Sequence, residues 1–254
     1  MKSTGKSNPI NVASMLLLAS LSGYSSAEVV SVDITAVVEY VDDYKNYLGG
    51  KIKPGDQITG TYVYDTATAD DNTIATVSDY WHKQPGHGIC LDVAGLKFGS
   101  SATTPSFLVE LVNNHYSNND NYLLRSYKND FAISAKPDPN YPTGAVENHI
   151  AWQLDDNTMQ ALNSTLLTDQ PPRLSDWKSL FGLTIDSRVS GAQGFFVRAH
   201  VTSAVRGSST SIGTCVTPTE PVFASPKYID STLLHRSANI TDKTEAVLYN
   251  DNGI

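Results

Sequence analysis

The stretch Gly49–Asp65, GGKIKPGDQITGTYVYD, decides the fold class. A glycine pair and the turn Lys53-Pro54-Gly55-Asp56 lead into a segment where Ile58, Gly60, Tyr62 and Tyr64 share one parity and Thr59, Thr61 and Val63 the other. Pro presets the backbone for a turn and Gly frees it. Period two then marks a β-strand with one face buried. Gly60, inside that strand, predicts a close backbone approach or a bulge.

The same period recurs on both sides. Val30, Val32, Ile34, Ala36, Val38 and Tyr40 alternate with Ser31, Asp33, Thr35 and Glu39. Downstream, Ile89, Leu91 and Val93 hand over to Leu96 and Phe98 across Ala94-Gly95, which predicts a tight hairpin. Further strands are predicted at Phe107–Leu111, Tyr122–Tyr127, Asp130–Ala135, Ile150–Leu154, Phe181–Ile185 and Phe195–Val201. Thr66 to Gly88 shows no convincing period and reads as a long loop, the kind that often carries function. No apolar stripe of helical period runs for three turns. About nine or ten short strands separated by turn signals predict an all-β chain, an antiparallel β-sandwich of jelly-roll-like form.

Lys2 and Lys6, an apolar run through Leu16, Leu17 and Leu18, and the small-residue site Ser25-Ser26-Ala27 have the pattern of a secretory signal peptide. The apolar run is shorter than the roughly 20 residues that span a bilayer. The expected organisation is a signal peptide over 1–27, a sandwich domain over 28–206, and a Ser/Thr/Pro-rich linker with a C-terminal tail over 207–254. The mature chain is expected to be secreted or periplasmic, without a membrane span. Removing the leader takes the net charge from −8 to −10, and no run of Lys or Arg forms the basic patch that nucleic acid requires. The two cysteines, Cys90 and Cys215, are expected to pair in an exported chain. The alternative is two unpaired small core residues.

The order of these features resembles exported bacterial β domains found in proteins with a PEP-CTERM sorting tail. The matching residues are Val30 to Val38, Gly50-Lys51-Ile52, Gly55 to Asp65 and Gly95-Leu96-Lys97-Phe98. Leu154-Asp155, the segment Pro171-Pro172-Arg173-Leu174-Ser175-Asp176-Trp177 and the closing strand Gly194 to Val205 follow in the same order. The resemblance covers about Val29 to Arg206 and implies a secreted β domain. The C-terminus departs from that pattern, with no Pro-Glu-Pro signal, apolar span or terminal Arg cluster. Free secretion or a periplasmic stay is the expectation.

Candidate ligand-binding residues cluster in the predicted loop: Tyr80, Trp81, His82 and His87. The aromatics offer flat faces to a sugar ring, and the two imidazoles, with four residues between them, supply two of the three or four ligands zinc needs. Asp65, Asp70 and Asp71, or Asp155 with Asp156 and Asn157, are candidate oxygen ligands for calcium. Each set is also ordinary turn chemistry. No GxSxG elbow, HExxH or paired CxxC is present. No other cofactor is expected. The leading expectation is an exported non-catalytic module that binds a glycan or cell-surface component, or serves the extracellular matrix. The alternative is a jelly-roll polysaccharide hydrolase or lyase.

Overall fold

A computed structural model describes residues 28–115, 119–137, 144–189 and 192–216. The predicted leader and the tail beyond 216 lie outside the described residues. Among the described residues are eleven strands: β1 (Val29–Asp42), β2 (Gln57–Asp65), β3 (Val77–His82), β4 (Gly88–Val93), β5 (Leu96–Ser100), β6 (Ser106–His115), β7 (Asn119–Tyr127), β8 (Asn129–Phe131), β9 (Val146–Asp156), β10 (Leu180–Val189) and β11 (Ala192–Arg206). All pair antiparallel in one sheet of order β3-β6-β7-β9-β10-β11-β1-β2-β4-β5-β8. The sheet curls so that its two halves face each other, which gives the expected all-β, jelly-roll-like class with one strand more than the upper estimate.

The extra strand is β3, which falls within the stretch read as a loop. Its inward side chains are Ser78, Tyr80 and His82, so the buried face carries polar atoms and lacks the apolar alternation that marks a strand. The Asp130–Ala135 segment is shorter than expected, with β8 ending at Phe131. Ala94 and Gly95 form the two-residue hairpin, both with positive φ (52° and 76°), the conformation of a type I′ turn. At Gly60 the structure decides for close approach: a Cβ there would lie 2.5 Å from the Cys90 carbonyl oxygen, while the β2 register runs unbroken against β1 and β4.

Inward residues of the two halves meet in an aromatic cluster. The Tyr62 ring lies 5.6 Å from Trp152 and 6.4 Å from Phe107, and its hydroxyl hydrogen-bonds that of Tyr122 at 3.0 Å. The open side of the curl, where β8 approaches β9, is closed by side chains. Asn129 Nδ2 donates to the Asn148 carbonyl at 2.8 Å, and Asn148 Nδ2 returns a bond to the Asn129 carbonyl at 3.2 Å. Ser126 donates to Asn129 Oδ1, and Ser187 donates to Asn148 Oδ1 at 2.7 Å. These groups take the place of a backbone ladder at the seam.

Cys90 and Cys215 form a disulfide with Cα atoms 5.4 Å apart. Residues 207–216 thereby run back over the outward side of β1, β2 and β4. The Gly207 N–H donates to the Ser31 carbonyl at 2.8 Å and the Ile212 N–H to the Gly86 carbonyl at 3.0 Å.

Replacing Asn129 with Ala is expected to lower stability by about 2 kcal/mol, because it strands buried partners at the seam. Urea unfolding of the variant against the parent checks this. Replacing both cysteines with Ser is expected to cost about 2 to 5 kcal/mol, given the long loop the bridge closes, and to open residues 207–216 to proteolysis. Parallel urea titrations and timed digestion measure both effects.

Candidate functional site

Period two sends alternate residues of β3, β6, β7 and β9 to the outside, and registration aligns them in rows. Asp79 of β3 stands opposite Glu110 of β6, followed by Leu123 of β7 and Gln153 of β9. The next row holds Asn121 and Asp155, and the row on the other side Trp81, Leu108, Arg125 and Ala151. Beyond it, the Trp81 ring stacks on Tyr127 at 6.0 Å, and Tyr127 meets His149 edge-on at 5.3 Å. The result is a partly exposed aromatic shelf beside a polar depression of about 460 Å³, lined by Glu110, Asn121, Arg125, Gln153 and Asp155 among others.

The depression is organised by Asp155. Its Oδ1 accepts from Asn121 Nδ2 at 2.5 Å and from Gln153 Nε2 at 2.8 Å, which fixes both amides. Burial pushes the Glu110 carboxyl above its usual range; nearby Asp79 adds to the rise, and Arg125 opposes it. The Lys83 ammonium lies 5.6 Å from the Trp81 ring centroid, on the far side of the shelf from the acids. Aromatic rings beside amides, carboxylates and a guanidinium suit a ligand with an apolar face and hydroxyl edges.

Of the four residues predicted to bind a ligand, strand geometry separates Trp81 from two others. Tyr80 and His82 point inward and are buried, with exposures of 5% and 3%, and the Tyr80 hydroxyl donates to the Thr165 carbonyl at 2.8 Å. His82 Nδ1 lies 3.0 Å from the Tyr80 carbonyl, while Nε2 accepts from the Asp65 N–H at 3.0 Å. This network assigns the proton to Nδ1. His87 is half-buried with its ring 5.5 Å from that of His82.

The aspartates have local roles. Asp65 Oδ1 accepts from the Ala67 N–H at 2.8 Å, and Asp70 Oδ1 accepts from the N–H groups of Asn72 and Asp79, each at 2.9 Å. Burial raises the Asp70 carboxyl, but these bonds outweigh it and hold the group below its usual range. Asp71 is exposed and donates its backbone N–H to the Asp79 carbonyl. Adjacent Asp155 and Asp156 face opposite sides of β9, so they cannot share an ion. Among the described residues no group of three or more His, Cys, Asp or Glu is placed to hold a metal.

Glu110, Arg125, Gln153 and Tyr127 did not stand out in the sequence. Their signal was the polar parity of strands whose apolar parity was recognised, and a single strand does not reveal which polar residues become neighbours. Comparison with known proteins found no match: no family model, curated protein or solved structure is similar to this chain.

Burial holds the His82 imidazole down at about 4, against 6.5 for the free group, with the neighbouring His87 acting in the same direction and the Asp65 and Tyr80 backbone opposing. As pH falls from about 6.5 to about 4, the unfolded chain takes up a proton that the folded chain refuses. Stability is expected to drop by about 3 kcal/mol across that window from this group. Urea unfolding at pH 7 and pH 4.5 checks it: His82→Gln should show a smaller pH difference than the parent.

Proposed function

We propose that the protein is an exported, non-catalytic β-sandwich module that binds a glycan through the outward face of β3, β6, β7 and β9. The observation that carries this reading is the Trp81–Tyr127 shelf beside the Asp155-organised depression. A sugar ring presents an apolar face that stacks on aromatic rings and hydroxyls that exchange hydrogen bonds with amides and carboxylates. The site lies on paired strands, so its side chains are held in register without ligand. This reading fits an extracellular or matrix role and the resemblance to exported bacterial β domains, which supports the same compartment.

A second reading, polysaccharide hydrolase or lyase, draws on one observation: the Glu110 carboxyl, raised by burial, shares the depression with Arg125 and Asp155. A carboxyl that holds its proton more tightly than usual, paired with a second carboxyl group, is what glycoside chemistry uses.

Both readings are tested by screening the mature protein against a polysaccharide panel, following retention and released reducing or unsaturated ends. Retention without release is expected. Trp81→Ala and Tyr127→Ala should each weaken retention by about 1 to 2 kcal/mol, roughly five- to thirtyfold. Release that Glu110→Gln abolishes would favour the enzyme, and absence of both retention and release across the panel would overturn both.

A further inference from the structure

Beside the aromatic shelf the chain carries negative charge that it does not neutralise. Asp79 and Glu110 stand directly opposite each other on β3 and β6, and like charges in that position destabilise a strand pair. Asp79 Oδ2 accepts from Asn72 Nδ2 at 3.0 Å, while Oδ1 is buried and has no hydrogen-bond partner. Among the described residues the four ion pairs lie elsewhere, so neither carboxyl has a salt-bridge partner. Burial raises the Glu110 carboxyl and Asp79 adds to the rise, with Arg125 opposing. Asp155 lines the same depression as Glu110 and Arg125. Three carboxyls thus share this part of the face with the guanidinium of Arg125.

The surroundings sharpen that charge. Leu108 faces Trp81 and Leu123 faces Glu110 across their strand pairs, each 4% exposed. An apolar floor lowers the local dielectric and strengthens the field of a charge standing on it. Trp81 is partly exposed and follows Asp79 on the same side of β3. Side chains two residues apart on one face of a strand are about 7 Å apart, so a sugar ring seated on Trp81 brings its substituents to the acid pair.

We propose that the glycan bound on this face carries free amino groups, as in a chain of de-N-acetylated amino sugars. The inference rests on the glycan reading and narrows it by charge complementarity. An ammonium brings three N–H donors and a positive charge. It meets the partly exposed Glu110 directly and relieves the opposition of Asp79 through space, and charge-assisted bonds of this kind are roughly twice as strong as neutral ones. The Lys83 ammonium, 5.6 Å from the Trp81 ring centroid, stands on the far side of the shelf and leaves the acid side to the ligand. A neutral or N-acetylated chain stacks on the same rings but leaves the acid pair unrelieved, and an acidic chain adds like charge to it.

The test titrates the mature protein by calorimetry with a glucosamine tetramer and with its fully N-acetylated counterpart, at about pH 6, where free amines hold their protons. The glucosamine tetramer is expected to bind at least roughly tenfold tighter, with the advantage shrinking as salt is raised to about 0.5 M. Glu110→Gln and Asp79→Asn should each narrow the gap between the two tetramers to about threefold or less. Trp81→Ala should weaken the glucosamine tetramer as well, which separates this site from general attraction to an acidic protein. Equal affinities, or tighter binding of the acetylated tetramer, would overturn the proposal while leaving the glycan reading in place. A preference that survives Glu110→Gln, or glucosamine binding untouched by Trp81→Ala, would overturn it too. Binding of neither tetramer also overturns it, and the polysaccharide panel then decides the glycan reading separately. If Asp79→Asn does not fold, Glu110→Gln decides.

Discussion

The contact on which the fold depends is the meeting of Tyr62 with Trp152 and Tyr122 across the interior. All three rings are buried, and the two phenols share a hydrogen bond. Burial raises both phenols above their ordinary range, so they stay neutral and add no charge to the core. These side chains join β2 to β7 and β9, which lie on opposite halves of one sheet. Burying large aromatic surfaces is worth about 2 to 3 kcal/mol each, and the curl is the arrangement that buries them together. Once the inward parity is occupied, every strand's other parity is committed to the outside.

Polar groups then complete what apolar packing leaves open. At the seam, Asn129 and Asn148 trade bonds with each other's backbone, which joins β8 to β9 without an extended ladder. At the start of the β9–β10 connection, the buried carboxylates of Asp156 and Asp120 accept from the backbone N–H groups of Gln160, Ala161 and Leu162. For Asp156, burial works against ionisation, but the bonds from Gln160, Thr158 and Ala161 prevail and hold the carboxyl below its usual range. His82 plays the same part for the Asp65 N–H on the inner side of β3. Each is specific in direction and partner, so together they fix register where hydrophobic contact alone would tolerate slippage.

This division of labour leaves outward surfaces that the core holds in fixed register. Trp81 is outward because Tyr80 and His82 are inward, and it meets Tyr127 because β3 and β7 both pair with β6. The shelf therefore inherits its geometry from the ladder and needs no loop to close over it. The β9–β10 connection is held differently, by the carboxylates of Asp120 and Asp156 and the phenols of Tyr64 and Tyr80.

What the sequence alone determined was set by local periodicity: the all-β class, the parity of β1, β2, β4 and β5, and the Ala94-Gly95 hairpin. Each of these depends on residues adjacent in the chain or on one strand's own alternation. The pairing of Cys90 with Cys215 was legible as a pair because the chain has two cysteines. Tertiary structure alone decided the rest. β3 has no apolar alternation because its inward residues carry polar groups, satisfied by partners distant in the chain such as Thr165. The sheet order, with β3 and β8 at its ends, follows from long-range pairing that alternation does not encode. The Trp81–Tyr127 shelf and the residues around Asp155 bring together side chains from separate strands. Period two states which way a side chain points, and only the pairing of strands states what it meets.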